Sequence, residues 1–282
     1  MRRNRLVDQF LSQHPGRFLE LPGGRMHLLD EGEGEPVVML HGNPTWSFFF
    51  RGLLDALARE SKYRCIAPDH IGCGLSDKPD DAHYSYRLER RVADLESLLD
   101  QLGLGGRLTL VLHDWGGMIG MAFAAKHPDR IARLVIMNTA AFHMPSHRSF
   151  HWQLRLARGT PLSSWLVQGL NGFCRAAAWT CCTRHPMNRE LRDAYCAPYD
   201  TWDNRRAVLR FVQDIPLRPE DPSHALVTAT EAALHQLRDV PLLVAWGMRD
   251  YIFDQSFLEE WRRRFPLAEF HQFDDAGHYL LE

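Results

Sequence analysis

The 282-residue sequence lacks the features that mark secreted, membrane-spanning and nucleic-acid-binding proteins. No apolar run reaches the roughly 18 residues that indicate a membrane-spanning helix. The basic start, MRRNRLVDQF, is not followed by the apolar stretch of a secretion signal. The 33 Lys and Arg residues nearly balance the 35 Asp and Glu residues, so the net charge of −2 provides no basic field for a nucleic acid. We therefore expect a cytoplasmic protein with no transmembrane segment and no nucleic-acid partner.

Cysteine pairs with the spacing of metal ligands are also missing. None of the six cysteines stands in a C-x-x-C pair, and Cys181 and Cys182 are adjacent, so we expect reduced thiols and no metal site. Gly72, Gly74 and Ser76 do not have the spacing of a phosphate-binding loop. What remains is a chain with 45% hydrophobic residues, long enough for one large α/β domain or for one domain with an insertion.

Short apolar runs alternate with helical patterns along most of the chain. Residues 16–32 surround a Gly-Gly pair and predict an antiparallel hairpin at a sheet edge. Residues 86–103 have apolar side chains at helical spacing and end in glycine, which predicts a helix. Further strands are expected at 35–42, 63–70, 108–114 and 133–140, and a strand–loop pattern returns at 241–250 and 268–278. This β-α-β-α order predicts an α/β fold with a mostly parallel central sheet and helices on both faces.

Residues 141–230 interrupt this alternation. They lack strand-like patterning and hold four of the eight tryptophans, namely Trp152, Trp165, Trp179 and Trp202. We interpret this segment as a helical cap inserted into a core that is built from residues 1–140 and 231–282. A doubly wound sheet normally covers its last strand with another helix, so we also expect further chain after Glu282.

Three polar residues follow three of the predicted strands. Asp114 follows LTLVLH, Asp250 follows LLVAWGMR, and His278 follows the last strand. Ligands of open parallel sheets bind beyond the carboxyl ends of the strands, so these residues are expected to meet at one edge. Each residue taken singly has an ordinary structural role as a helix cap, a turn residue or a surface histidine. Their order, nucleophile then acid then histidine, is that of the α/β-hydrolase triad.

An aspartate stands where the strand–turn–helix motif of a hydrolase usually carries a serine. Gly116 and Gly117 leave room for a sharp turn, and the N–H groups of Trp115 and Asn43 are expected to form an oxyanion pair. An ionised Asp114 needs no deprotonation to displace a leaving group from an sp³ carbon. Water activated by His278 would then hydrolyse the alkyl ester. The Asn43 amide and the Trp115 indole supply further N–H donors.

Residues 41–45 (HGNPT) and 113–117 (HDWGG), together with Asp250 and His278, resemble the haloalkane dehalogenase branch of the α/β-hydrolases over almost the whole chain. The resemblance implies the α/β-hydrolase fold with a helical cap. It implies Asp114 as nucleophile, His278 as base and Asp250 as its acid, with Asn43 and Trp115 holding the leaving group. No cofactor or metal is required by this chemistry.

The late acid Asp250 combined with Asn43 resembles the third dehalogenase subfamily. The stretches HGNPTWSFFFR, APDHIGCGLSDKP, FVQDIPLRP and FDDAGHYLLE are similar to the β-lactone decarboxylases of bacterial long-chain olefin biosynthesis. This resemblance implies that cis-3,4-dialkyl-oxetan-2-ones are converted to cis-alkenes and CO₂. Asp114 can attack either the ring carbon or the carbonyl, and the sequence leaves both routes open. The implied partners are a hydrophobic small-molecule substrate, the β-lactone synthetase and the other enzymes of that pathway.

Three alternatives remain open. A true haloalkane dehalogenase would release halide and alcohol from the same residues. An epoxide hydrolase would need two cap tyrosines as proton donors, for which Tyr195 and Tyr199 are the candidates. A catalytically silent protein of this fold is disfavoured because all three triad residues are present. For an apolar substrate, the expected pocket residues are Trp46, Phe48, Phe142, Trp165 and Phe173.

Overall fold

A single eight-stranded sheet organises the part of the chain that the structure describes. The computed structural model describes residues 4–145, 148–160 and 162–282. The strands run in the order β1-β2-β4-β3-β5-β6-β7-β8. β2 is antiparallel to both of its neighbours, β1 and β4, and all other neighbouring strands are parallel. Their bounds are β1 Arg17–Leu21, β2 Gly24–Glu31, β3 Glu35–Leu40, β4 Tyr63–Pro68, β5 Leu108–His113, β6 Ile131–Met137, β7 Leu242–Gly247 and β8 Glu269–Phe273. The predicted α/β fold is confirmed.

Helices cover the sheet and form the segment between β6 and β7. Their bounds are α1 Arg5–Gln13, α2 Arg51–Ala58, α3 Leu88–Gln101, α4 Trp115–Lys126, α5 Trp152–Gly159, α6 Gly172–Thr180, α7 Arg189–Cys196, α8 Arg206–Gln213, α9 His224–Ala233 and α10 Gln255–Arg264. Helices α5 to α8 lie within the predicted cap. Helix α9 packs on α4 of the core and crosses residue 230, so the cap boundary stays a prediction. None of the described helices is long and apolar enough to cross a membrane.

The edge hairpin and helix α3 form where the sequence patterns predict them. Gly24 has a φ of 124° at the turn between β1 and β2, a conformation that favours glycine. In α3, Leu88, Val92, Leu95 and Leu98 are buried at helical spacing, and Gly103 follows with a φ of 66°. Both elements therefore follow from local pattern and glycine chemistry.

The central parallel strands are buried on both faces. The last four residues of β3 and of β5 are all buried. Such strands read as continuous apolar runs because helices cover each face of a parallel sheet. Because β3, β5, β6, β7 and β8 are parallel, their carboxyl ends lie along one edge, where the functional side chains lie.

Candidate active site

The connection between β5 and α4 consists of Asp114 alone. β5 ends at His113 and α4 begins at Trp115. The Asp114 φ of 50° lies in the left-handed region, which costs a residue other than glycine about 1–3 kcal/mol. Thr139 Oγ1 donates a hydrogen bond of 2.5 Å to the Asp114 carbonyl and supports this turn. The carboxylate therefore lies on the wall of a cavity at the carboxyl edge of the sheet.

The structure brings the three predicted triad residues together. His278 Nδ1 lies 2.7 Å from Asp250 Oδ2, and His278 Nε2 lies 3.6 Å from Asp114 Oδ2. All three side chains are buried. Asp250 also accepts the N–H of Ile252 through its other oxygen at 2.7 Å, which fixes the orientation of its carboxylate. The imidazole is thus aligned between a structural carboxylate and the carboxylate at the turn.

Two backbone N–H groups hold the turn carboxylate. The Asn43 N–H donates to Asp114 Oδ1 at 2.6 Å, and the Trp115 N–H also donates to this carboxylate. The other oxygen, Oδ2, is the one that faces His278. A carboxylate held in this way presents Oδ2 as the attacking atom. The Asn43 N–H can stabilise negative charge that develops on Oδ1 if water later attacks the carboxyl carbon.

The two predicted leaving-group residues border the same cavity. One N–H of the Asn43 amide donates to the Val208 carbonyl at 3.1 Å, which fixes the side chain and leaves its second N–H for a ligand. The Trp115 indole also lines the cavity, and its ring centroid lies 5.2 Å from that of Phe211. The arrangement provides two N–H donors near Asp114 in a mostly apolar space.

Burial and charge shift the pKa values of the facing pair. Burial raises the pKa of Asp114 above its ordinary value, although the His278 charge and the N–H groups of Asn43 and Trp115 oppose this effect. Burial lowers the pKa of His278, but the carboxylates of Asp250 and Asp114 outweigh burial and raise it. Acid therefore removes the charged form of Asp114 at a higher pH than it would for an exposed aspartate.

Other polar residues that support the site were not found from the sequence. The pKa of buried His113 lies well below its ordinary value because of burial, so the ring is neutral and Nε2–H donates to the His278 carbonyl at 2.8 Å. Asn138 exchanges two hydrogen bonds with the backbone of Gly247, which ties the ends of β6 and β7 together. The only sign of their role in the sequence is their position, since both residues stand at strand ends.

The cavity has a volume of about 360 Å³ and is mostly apolar, although His143, Arg148 and Tyr251 are also among its lining residues. Of the predicted pocket residues, Phe142 and Phe173 lie on its wall, together with Met118 and Val212. Within the described residues, no cluster of His, Cys, Asp and Glu side chains fits a metal ion. A space of this kind suits an apolar small molecule whose one polar end reaches the N–H donors.

Three predicted pocket residues do not line the cavity. Trp46 and Phe48 are fully buried, stack on each other at 5.3 Å and pack against Phe10 of α1. They belong to the core on the other side of the HGNPT turn. Trp165 is 55% exposed, whereas the next two residues of the π-helical turn that starts with it, Leu166 and Val167, line the cavity.

The two cap tyrosines do not stand where an epoxide hydrolase would need them. Tyr195 is buried and donates a hydrogen bond to Glu282, and Tyr199 donates to the Thr45 carbonyl at 2.9 Å. Neither residue lines the cavity. Their hydroxyl groups serve packing, so these tyrosines are not available as the proton donors of that alternative.

Comparison with known proteins agrees with this geometry. A family model for the alpha/beta hydrolase fold matches residues 35–282. A cis-3-alkyl-4-alkyloxetan-2-one decarboxylase of Shewanella oneidensis is 51% identical, over 94% of this chain and 83% of its own. A second, from Xanthomonas campestris, is 48% identical, over 95% of this chain and 91% of its own.

Haloalkane dehalogenases are more distant relatives. One from Mycobacterium marinum is 37% identical, over 84% of this chain and 76% of its own. Among solved structures, an ancestral haloalkane dehalogenase has a TM-score of 0.84 at 28% identity and covers 94% of this chain and 92% of that one. The chain therefore belongs to the α/β-hydrolase fold family, in the group that contains the cis-3-alkyl-4-alkyloxetan-2-one decarboxylases and, further away, the haloalkane dehalogenases.

Proposed function

We propose that this protein converts cis-3,4-dialkyl-oxetan-2-ones to cis-alkenes and CO₂, with Asp114 as the nucleophile. The observation that carries the proposal is the identity of about half of all residues, over nearly the whole chain, to two decarboxylases named for that substrate class. The site supports it chemically. A buried carboxylate nucleophile, two side-chain N–H donors and an apolar cavity match a strained lactone that carries alkyl chains.

The proposed reaction has two steps. Asp114 Oδ2 attacks the ring carbon that bears the ring oxygen, a carbon–oxygen bond forms, and the ring opens to release a carboxylate within the substrate. The carboxylate carbon–carbon bond then breaks, CO₂ leaves, and the electron pair forms the alkene while Asp114 departs as carboxylate. Inversion in the first step and anti elimination in the second preserve the cis geometry. The nucleophile is regenerated and no water is consumed.

Asn43 and Trp115 would hold the carboxylate that the ring opening creates. Their side-chain N–H groups border the cavity, whereas the backbone N–H of Asn43 is already occupied by Asp114 Oδ1. Attack at the lactone carbonyl would instead place a new oxyanion away from that backbone N–H. This occupancy favours the ring-carbon route over the carbonyl route.

Oxygen labelling separates the two routes. With ¹⁸O in the lactone ring, attack at the ring carbon transfers the label to CO₂. Attack at the carbonyl gives an anhydride and an alkoxide, and acyl transfer to that alkoxide leaves the ring oxygen in Asp114. We expect labelled CO₂ and an unlabelled Asp114 peptide by mass spectrometry. Label in the peptide would establish the carbonyl route.

Haloalkane hydrolysis is the second candidate activity, because the same nucleophile, N–H donors and base are present in the site. A dehalogenase is also among the relatives above 30% identity. In that reaction Asp114 displaces halide, and water activated by His278 hydrolyses the ester.

One product assay with two substrates tests the proposed function. A cis-3,4-dialkyl β-lactone and a 1-iodoalkane are supplied separately, alkene and alcohol are followed by gas chromatography, and halide by an ion electrode. We expect fast alkene formation and slow or no halide release. Halide and alcohol from the iodoalkane, with the lactone untouched, would overturn the decarboxylase proposal in favour of the dehalogenase.

From the same relationship we propose that the protein acts in the cytoplasm, beside a β-lactone synthetase and the other enzymes that make its substrate. Co-purification of the full chain with a tagged synthetase from the native cell tests this association. Absence of any such complex under gentle lysis would contradict it.

A further inference from the structure

The cap exposes several large apolar side chains to solvent. Between 38% and 66% of each is exposed, and together we call them the cap patch: Trp152, Leu156, Leu162, Trp165, Leu170 and Trp202. Trp165 and Trp202 are neighbours, because a Cβ built on Gly169 would lie 3.4 Å from the first and 3.3 Å from the second. Clustered exposure of this kind marks an interaction surface.

The cap patch borders the mouth of the active-site cavity. Trp152 and Leu156 on α5 are exposed, yet both also line the cavity that contains Asp114. Leu166, which follows Trp165, and Phe173 on α6 line the same cavity. The path from solvent to the nucleophile therefore passes beside these apolar side chains.

The chain segment that carries all of the cap patch except Trp202 has charge of one sign. Residues 141–189 contain six arginines and no Asp, Glu or Lys. Arg155 on α5 and Arg175 on α6 are exposed, and the described residues provide no carboxylate partner for either. Arg158, by contrast, pairs with Asp221 at 2.8 Å. Exposed tryptophans beside unpaired cations match the interface of a bilayer with anionic headgroups.

We propose that the cap patch docks on the surface of a membrane that contains anionic phospholipids. Tryptophan and leucine side chains enter the interfacial region, and Arg155 and Arg175 contact phosphate groups. A second copy of this chain fits the surface less well, because a two-fold contact of the patch with itself would bring these arginines toward their own copies. The proposal rests on the cap surface and holds whichever apolar substrate the site takes.

Docking in this orientation would turn the cavity mouth toward the lipid. A substrate with long alkyl chains partitions into the bilayer and would reach Asp114 without crossing water. An apolar alkene product would leave by the same path. The arrangement gives the exposed tryptophans of the cap a role that packing does not provide.

Vesicle co-sedimentation of the full chain tests the proposal. We expect binding to vesicles of phosphatidylcholine with phosphatidylglycerol, little binding to phosphatidylcholine alone, and weaker binding as salt is added. The double change Arg155→Gln and Arg175→Gln should weaken binding at least about tenfold, at about fivefold for each arginine. Trp165→Gln should also weaken it severalfold, because it removes an interfacial anchor.

Matched controls lie at the opposite end of the sheet. Lys62 precedes β4, and Leu267, which is 88% exposed, precedes β8. Lys62→Gln and Leu267→Ala should bind vesicles as the unchanged protein does. All variants should keep the melting temperature and the rate on a short-chain, water-soluble lactone, which shows that fold and site are intact.

Two results would overturn the proposal. Failure of the unchanged protein to bind anionic vesicles, or an equal loss in the control variants, would exclude docking through this surface. Self-association in analytical ultracentrifugation that Trp165→Gln abolishes, without vesicle binding, would assign the patch to a second copy of the chain. Neither result depends on the product assay, so failure of docking is distinguishable from failure of the proposed reaction.

Discussion

The two oxygens of Asp114 have different neighbours, and this asymmetry defines the first prediction. Oδ1 accepts the Asn43 N–H at 2.6 Å, and Oδ2 faces His278 Nε2 at 3.6 Å. Asp114→Ala removes the attacking oxygen, so turnover of lactone and haloalkane should fall at least about a thousandfold. The rate is measured by gas chromatography, with circular dichroism to verify the fold. Alkene formation at the unchanged rate would exclude a covalent mechanism.

Asn43 contributes its backbone N–H and its side-chain amide to the site, and substitution by alanine removes only the amide. Asn43→Ala keeps the backbone donor to Asp114 but loses the side-chain donor at the cavity. Because the side chain would hold the leaving carboxylate, we expect kcat to fall at least about tenfold. Steady-state kinetics on the lactone measure the effect. A kcat equal to that of the unchanged protein would show that the leaving group is held elsewhere.

His278 separates the two candidate reactions, since only hydrolysis needs a base to activate water. In His278→Phe, an iodoalkane should release one halide per protein and leave a stable ester on Asp114, visible as a mass increase. The β-lactone should still give repeated alkene turnover, at a reduced rate. A stable adduct with the lactone as well would contradict the water-free second step.

At the scale of elements, the turn into α4 depends on close contact between backbones. A Cβ on Gly116 would lie 2.0 Å from the Leu40 carbonyl oxygen of β3, which cannot move without breaking the sheet. Gly116→Ala should therefore lower the free energy of unfolding by at least about 1–3 kcal/mol. Gly52 in α2 is the matched control, because nothing lies within 4 Å of its Cβ position.

Urea denaturation compares these two glycines. Gly52→Ala should raise the free energy of unfolding by about 0.5–1 kcal/mol, since alanine is the better helix former. The two substitutions are chemically the same and differ in surroundings alone. Equal changes in both variants would show that contact with β3 does not limit the turn.

Elements with a clear local signal were predictable from the sequence. The β1–β2 hairpin follows from its Gly-Gly turn, and α3 follows from its buried leucine stripe. The packing of the aromatic run 46–50 was not predictable from the sequence. Aromatic residues after a strand do not indicate on which side of the turn they pack. Trp46 and Phe48 pack against Phe10 of α1, a contact that depends on a helix about 40 residues earlier in the chain.

On the scale of the whole molecule, the sheet edge was predictable and the cavity wall was not. Asp114, Asp250 and His278 meet because the carboxyl ends of parallel strands share one edge, a rule that needs only strand order. Much of the cavity wall comes from the segment between β6 and β7, whose outward and inward sides have no single period in the sequence. Trp165 and Leu166 are adjacent in sequence, yet Trp165 is exposed and Leu166 lines the cavity.

Buried neutral histidines make the stability of the whole molecule sensitive to acid. Burial lowers the pKa of His41 from 6.5 to about 4. Its Nδ1–H donates to the Gly42 carbonyl at 2.7 Å, and its Nε2 accepts the His70 N–H at 3.1 Å. A second proton on the His41 ring would have to bind Nε2, where it would meet the backbone N–H of His70. Because the folded state binds this proton less tightly than the unfolded state, stability is full above pH 6.5 and falls as the pH drops toward 4.

The free energy of unfolding should fall by up to about 3 kcal/mol between pH 6.5 and 4 from His41 alone. His278, whose pKa is raised, acts in the opposite direction, so the test needs a variant rather than a pH curve by itself. Urea denaturation of His41→Gln at several pH values should show a lower stability at pH 7 and a shallower loss toward acid. Exposed His185 provides the control, since His185→Gln should leave the slope unchanged. An unchanged slope in His41→Gln would mean that His41 does not carry the acid sensitivity, whatever its burial.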